Sequence, residues 1–138
     1  MLKKIITTVL SVICCFFLYL SVAKPVFSDY ADSFELYLHE CSSNASIVFV
    51  SKSDYPFISD IKGESCKLLK SEFEIEKFLN EFSATVHFIE VIDEGTAYYA
   101  YSEKIRCSAE VKGQRINLHI FIAKESVTVG SPLIYGSF

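Results

Sequence analysis

The run QRINLHIFIA, residues 114–123, leaves this chain the fewest options. Ile116, Leu118, Ile120 and Ile122 point one way along it, and Asn117, His119 and Phe121 point the other. A period of two belongs to a strand, so the segment cannot be an amphipathic helix. One wholly aliphatic face and one mixed face suit an antiparallel sheet that is covered on one side and partly open on the other. The neighbouring runs repeat the signal. ATVHFIEVI and TAYYAY flank DEG, which predicts a hairpin turning at Asp93, Glu94 and Gly95. IRCSAEV precedes QRINLHIFIA across Lys112 and Gly113. SVTV is the last strand, after which Gly130, Ser131 and Pro132 bend the chain into LIYGSF.

Upstream, IVFVSK reads as a β-branched strand stopped by SDYP, and FISDIKGESCKLL as an extended stretch that bends or bulges at Gly63. Ser71 and Glu74 stand at capping-box spacing, and Ile75, Phe78, Leu79 and Phe82 then make one helical stripe. In YADSFELYLHEC, Tyr30, Phe34, Tyr37, Leu38 and Cys41 fit a helix, whereas only Phe34, Leu36 and Leu38 fit a strand, so the expectation is helix. The whole predicts an α+β domain, residues 33–138, after a short linker over 24–32. Its frame is a twisted antiparallel sheet of about five to seven strands with one or two helices on one face.

The first residues carry an address. Lys3 and Lys4 precede Ile5 to Val22, a run without a single charge, which is the layout of an export signal. Ser21 and Ala23 provide small residues for cleavage, so residues 1–23 read as a signal peptide, or as an N-terminal membrane anchor if uncut. Ile13 before Cys14 and Cys15 does not suit a lipobox. Either way the rest of the chain lies outside the cytoplasm, secreted or held on the outer face of the membrane. Membrane contact is then confined to the N-terminal segment. Without Lys3 and Lys4, two of the 13 basic residues, the remainder faces 17 acids with a formal charge of −6. Such a domain releases few counterions from phosphate backbones, which argues against nucleic acid and against anionic lipid or wall polymers. Beyond residue 23 the cysteines are Cys41, Cys66 and Cys107, an odd number that permits one internal bridge at most. Buried free thiols are one reading; a Cys41–Cys66 disulfide is the other.

The stretch VKGQRINLHIFIAKESVTVGSPLIYGSF, with its Gly turn, its Ile-Asn-Leu strand and its Gly-x-Pro-x-Ile ending, resembles the C-terminal part of the YwmB-like exported proteins of spore-forming Gram-positive bacteria. GTAYYAYS resembles the family more loosely. That family is named for a TATA-box-binding-like shape. The resemblance implies an exported α+β domain with a curved sheet, and it carries no catalytic residue to this chain.

Among chemical sites, Cys66 and Cys107 could meet His87 or His119 across a sheet, but no nucleophile signature surrounds them. His39, Cys41 and Cys66 lack the paired spacing of a zinc site. Glu90, Asp93 and Glu94 read as a solvated rim around a turn. Tyr98, Tyr99 and Tyr101 put aromatic rings on both faces of one strand, a candidate binding face for protein or sugar, against the plainer reading of cross-strand packing. The expectation is a non-enzymatic, envelope-associated domain without cofactor or metal that binds another envelope protein. A polysaccharide-binding module is the alternative, and an enzyme of unrecognised type the third.

Overall fold

The computed structural model describes residues 1–22, 25–38, 46–55 and 61–135, without the side chains of residues 2 and 20–22. Helix α1 spans Leu2–Val22. Then come β1 (Ser33–Leu38), β2 (Ser46–Ser51), β3 (Ile61–Leu69), α2 (Ile75–Glu81), β4 (Thr85–Ile92), β5 (Gly95–Tyr101), β6 (Ala109–Val111), β7 (Gln114–Ile116), β8 (Leu118–Ala123) and β9 (Ser126–Ser131). The class is α+β, as expected. Seven strands form one antiparallel sheet in the order β2-β1-β3-β9-β8-β5-β4, and β6 and β7 form a separate two-stranded ribbon.

The expected helix over residues 30–41 is corrected: residues 33–38 are strand β1, paired with β2 and β3. Phe34, Leu36 and Tyr37 are all buried there, because this strand is covered on both faces. Two adjacent buried residues break the period of two and imitate a helical stripe. Residues 39–45, Cys41 among them, lie outside the described residues.

Helix α2 starts at Ile75, later than the Ser71–Glu74 spacing placed it, and the expected capping box is corrected. Glu74 occupies the N-cap without a side-chain cap bond, and Ser71 is drawn into a preceding 3-10 turn, Lys70–Glu72. The expected stripe holds: Phe78 is buried, and Leu79 and Phe82 pack on the core. That core lies between α2 and the sheet face bearing Phe34, Leu36, Cys66, Ala100, Leu118, Ile120, Val127 and Val129. The segment read as a linker contributes to it as well. Phe27 is fully buried, lying 6.2 Å from the Phe78 ring and 5.8 Å from that of Phe82.

Two buried polar side chains fix this architecture. Glu64, on the core face of β3, accepts the Phe27 amide at 3.1 Å and the Tyr55 hydroxyl at 2.6 Å, which ties the 25–31 turn to the sheet. Burial pushes its carboxyl up from the usual range, while these donors pull the other way. Asn117, at the break between β7 and β8, accepts the Ser102 amide at 2.7 Å. It donates to the carbonyls of Ser102 at 2.6 Å and Ile105 at 2.9 Å, and so holds the loop after β5. The hairpin around Asp93 and Glu94 forms with Ile92 opposite Gly95, and the bulge expected near Gly63 appears as a register shift at Tyr37/Leu38.

Candidate functional site

On the face away from α2, register alone sets up an aromatic row. Phe88 faces Tyr99 across β4 and β5, and Tyr99 faces His119 across β5 and β8. The three rings stack with centroids 4.4 Å apart at both steps and interplanar angles of 18°. Next in line is Gly130, where a Cβ would come within 2.7 Å of Ile134 Cγ1. The absent side chain lets the C-terminal segment cross the sheet. Ile134 is buried there, its amide donating to His119 Nδ1 at 3.2 Å. The Tyr135 amide donates to the Tyr37 hydroxyl at 3.2 Å, and the two rings meet edge to face at 5.2 Å. Residues 132–135 are thus a cover on this face, as the bend at Pro132 implied; Phe138 lies outside the described residues. Burial holds the His119 imidazole neutral, down to about 4, against the opposing pull of Glu90.

The three candidate tyrosines all have internal work. Tyr98 packs on the core cluster, on the α2 side. Tyr99 is sandwiched in the ring row, and its hydroxyl donates to Glu90 at 3.0 Å. Burial and that carboxylate push the phenol up to about 12. Tyr101 lies beside His87 at 6.3 Å and under the Arg115 guanidinium at 5.3 Å. Each ring is half-buried among these neighbours.

The remaining candidates scatter. Cys66 is a free thiol on the core face, pushed up to about 12 by burial and then by Glu64, whereas His119 is on the opposite face, so these two cannot act as a pair. Cys107 is free and exposed. His39 and Cys41, the latter the candidate bridge partner of Cys66, lie outside the described residues. Among the described residues no group of three or more His, Cys, Asp and Glu side chains could hold a metal ion. Glu90 pairs with Lys112 from the β6–β7 turn, which with the Tyr99 hydroxyl holds its carboxyl below the ordinary range. Asp93 and Glu94 are exposed at the hairpin turn.

Among the described residues two kinds of surface remain open, the edges of the sheet and a cleft, and composition alone gave no sign of either. β4 and β2 are the terminal strands of the sheet, and on the outward side of each no described strand pairs with it. On β2, Ile47, Val48 and Phe49 stand 37%, 41% and 76% exposed. Along β4, Ile89 and Val91 on one face and Ile92 on the other stand 52%, 80% and 43% exposed. The cleft, of about 610 Å³, lies between residues 29–33, the end of β3 and the start of α2. Tyr30, Leu68, Phe73 and Phe78 form its apolar part, and Asp29, Asp32, Glu72, Glu74 and Glu81 stand around it.

Helix α1 presents Val9, Leu10, Val12, Phe16, Phe17 and Leu18 to solvent, each more than half exposed. Among the described residues no helix is long and apolar enough to cross a membrane. Compared with known proteins, the chain matches no family model, no curated protein and no solved structure.

Proposed function

We propose that this chain is an exported, envelope-associated domain that works by binding a partner protein along the open edge of β4. The observation that carries the reading is that Ile89 and Val91 on one face of β4 and Ile92 on the other are left to solvent on a strand whose outer amides and carbonyls face no described strand. β4 exposes two such side chains by more than half, whereas the other edge, β2, exposes one, Phe49. An exposed apolar edge is an aggregation liability unless something pairs with it, and strand addition satisfies the ladder and the side chains together. Export is supported by Lys3 and Lys4 ahead of the charge-free run, and by the wholly exposed apolar side of α1, which water does not tolerate. The likeness of residues 111–138 to YwmB-like exported proteins supports the same address.

A protein partner is favoured over a polysaccharide because Tyr98, Tyr99 and Tyr101 are occupied by their own neighbours rather than set out as stacking platforms. The test is co-purification of the tagged full chain from the host envelope, wild type against Val91→Lys. The expected result is a stoichiometric partner retained by the wild type and lost from the variant. An identical set of partners for both overturns the edge, and a cytoplasm-only fluorescent reporter that lights at the C-terminus overturns export.

A further inference from the structure

The cleft beside α2 has a chemistry of its own. Its apolar part is built by packing: the Tyr30 ring meets Phe78 edge-on at 4.8 Å and Phe73 lies 5.2 Å from Phe78, while Tyr30, Leu68 and Phe73 stay half-exposed. A concavity of about 610 Å³ falls in the range that takes a compact ligand or a short stretch of peptide.

The charge around it is one-sided. Asp29, Asp32, Glu72, Glu74 and Glu81 line the cleft with only Lys67 and Lys77 for company. No described lysine or arginine forms an ion pair with any of the five; the ion pair present among the described residues joins Lys112 to Glu90, which is not part of this lining. Tyr30 donates its hydroxyl to Glu81, which fixes that carboxylate against the aromatic wall. Like charges gathered around one concavity repel each other, and a cation brought between them relieves the repulsion. An apolar wall within the same concavity asks for something beyond a bare cation.

We propose that this cleft binds a basic peptide segment of a partner protein, one that seats an aromatic or branched apolar side chain against Phe73, Tyr30 and Leu68 and places lysines or arginines on either side of it. The partner is argued from complementarity: the apolar wall receives the anchor, the carboxylates receive the flanking cations, and an acidic ligand is rejected. The inference rests on the reading that the domain binds protein, but it uses a surface distinct from β4, so the two succeed or fail separately.

The probes are a panel of twelve-residue synthetic peptides, each holding four lysines or arginines around a phenylalanine-leucine pair in permuted order. Controls are the same panel with glutamates for the basic residues, and hexalysine. Binding to the full chain in a non-ionic detergent is read by amide chemical shifts and by fluorescence anisotropy. Basic panel members are expected to move the amides of residues 29–33 and 67–81, while the acidic panel and hexalysine leave them in place. The triple variant Asp32→Asn, Glu72→Gln, Glu74→Gln should weaken binding about tenfold, since three exposed charge contacts are removed. Phe73→Ser should weaken it too, with the far-ultraviolet dichroism unchanged. The proposal is overturned if no basic peptide moves these amides, if the acidic panel or hexalysine binds equally, or if the triple variant binds like the wild type. Val91→Lys should bind the peptides normally. If it loses its envelope partner while the wild type binds none of the peptides, the cleft falls and the edge stands; the converse pattern spares the cleft.

Discussion

Ile134 tests how firmly the C-terminal segment is seated. It is 7% exposed and packs with Ala97 and Phe121 above Gly130. Ile134→Ala removes three carbons, about 2.4 kcal/mol of transfer free energy before any cavity term, and in a closed core such a change costs about 2–5 kcal/mol. The segment is near the chain end, however, and can lift away instead of bearing a cavity. What would still hold it are the hydrogen bonds that the Ile134 and Tyr135 amides donate to His119 and Tyr37, at about 0.5–1.5 kcal/mol each, and the edge contact of Tyr135 with Tyr37, similar in size. Ordering three residues costs about 1–2 kcal/mol apiece, which equals or exceeds those remaining holds. The loss is therefore capped by the free energy of docking, at about 1–2.5 kcal/mol.

For a domain of this size the cap corresponds to a fall in Tm of roughly 4–10 °C. Urea and thermal denaturation followed by circular dichroism measure it, and hydrogen exchange at the Ile134 and Tyr135 amides reports undocking directly. The cap has a signature: Tyr135→Ala should cost little more once Ile134→Ala is present, because both then act on a segment already released. A Tm unchanged within about 1 °C for Ile134→Ala, and again on deleting residues 133–138, refutes the reasoning and returns the tail to solvent.

Other expectations follow from the buried groups. The His119 imidazole is held down to about 4 by burial, below its usual value near 6.5, so the unfolded chain takes up a proton first as the pH falls. His119 therefore contributes stability that is fully present above about pH 6.5 and lost by about pH 4, on the order of 3 kcal/mol; His119→Asn, whose Oδ1 can still accept the Ile134 amide, should flatten this part of the stability profile, and an unchanged slope in urea titrations counts against it. Asn117→Ala abandons the Ser102 amide and the carbonyls of Ser102 and Ile105 inside the fold and should cost about 3 kcal/mol or more by denaturant unfolding; a loss under 1 kcal/mol contradicts the network. Because burial raises the Cys66 thiol, alkylation at pH 8 should modify Cys107 quickly and Cys66 only under denaturing conditions; equal rates contradict its place in the core.

What the sequence made legible was local. QRINLHIFIA is extended as its alternation predicts, but it breaks at Asn117 into β7 of the ribbon and β8 of the sheet. Its expected open face is closed, with Asn117, His119 and Phe121 buried. The DEG hairpin formed at its expected turn and the apolar stripe of α2 found the sheet, because periodicity and turn chemistry are written in neighbouring residues. β1 was misread because burial on both faces comes from elements far along the chain: α2 side packing takes Phe34 and Leu36, and Tyr135 takes Tyr37. The capping box failed for a related reason. Ser71 and Glu74 had the right spacing, but the chain entering from β3 turns through Lys70–Glu72 first, so Ser71 is no longer at the cap. Neither open surface was legible, since the β4 edge depends on strand order and the cleft on the docking of residues 25–31 against α2.

That strand order also limits which surfaces can serve a partner. The face opposite α2 is occupied along β8, β9 and β3 by the protein's own tail, and at its β4 end by the Lys112 and Arg115 side chains of the β6–β7 ribbon, which reach Phe88 and Tyr101. The α2 face is filled from Phe34 to Ile120 by the core. A partner that approached either face would first have to displace groups already packed or hydrogen-bonded. At the two edges nothing need be displaced: Val91 on β4 is 80% exposed and Phe49 on β2 76%, and the outer side of each strand faces no described strand. Of the two, β4 has more apolar side chains exposed by over half. Strand addition at β4 extends the sheet by its existing geometry, and the core on the far side of β5 and β8 does not move. It follows that Ile134→Ala, which acts on the opposite face and on other strands, should lower stability while leaving capture of the envelope partner intact. Loss of that capture in a variant that remains folded would mean that the tail, and not the edge, is what the partner reads.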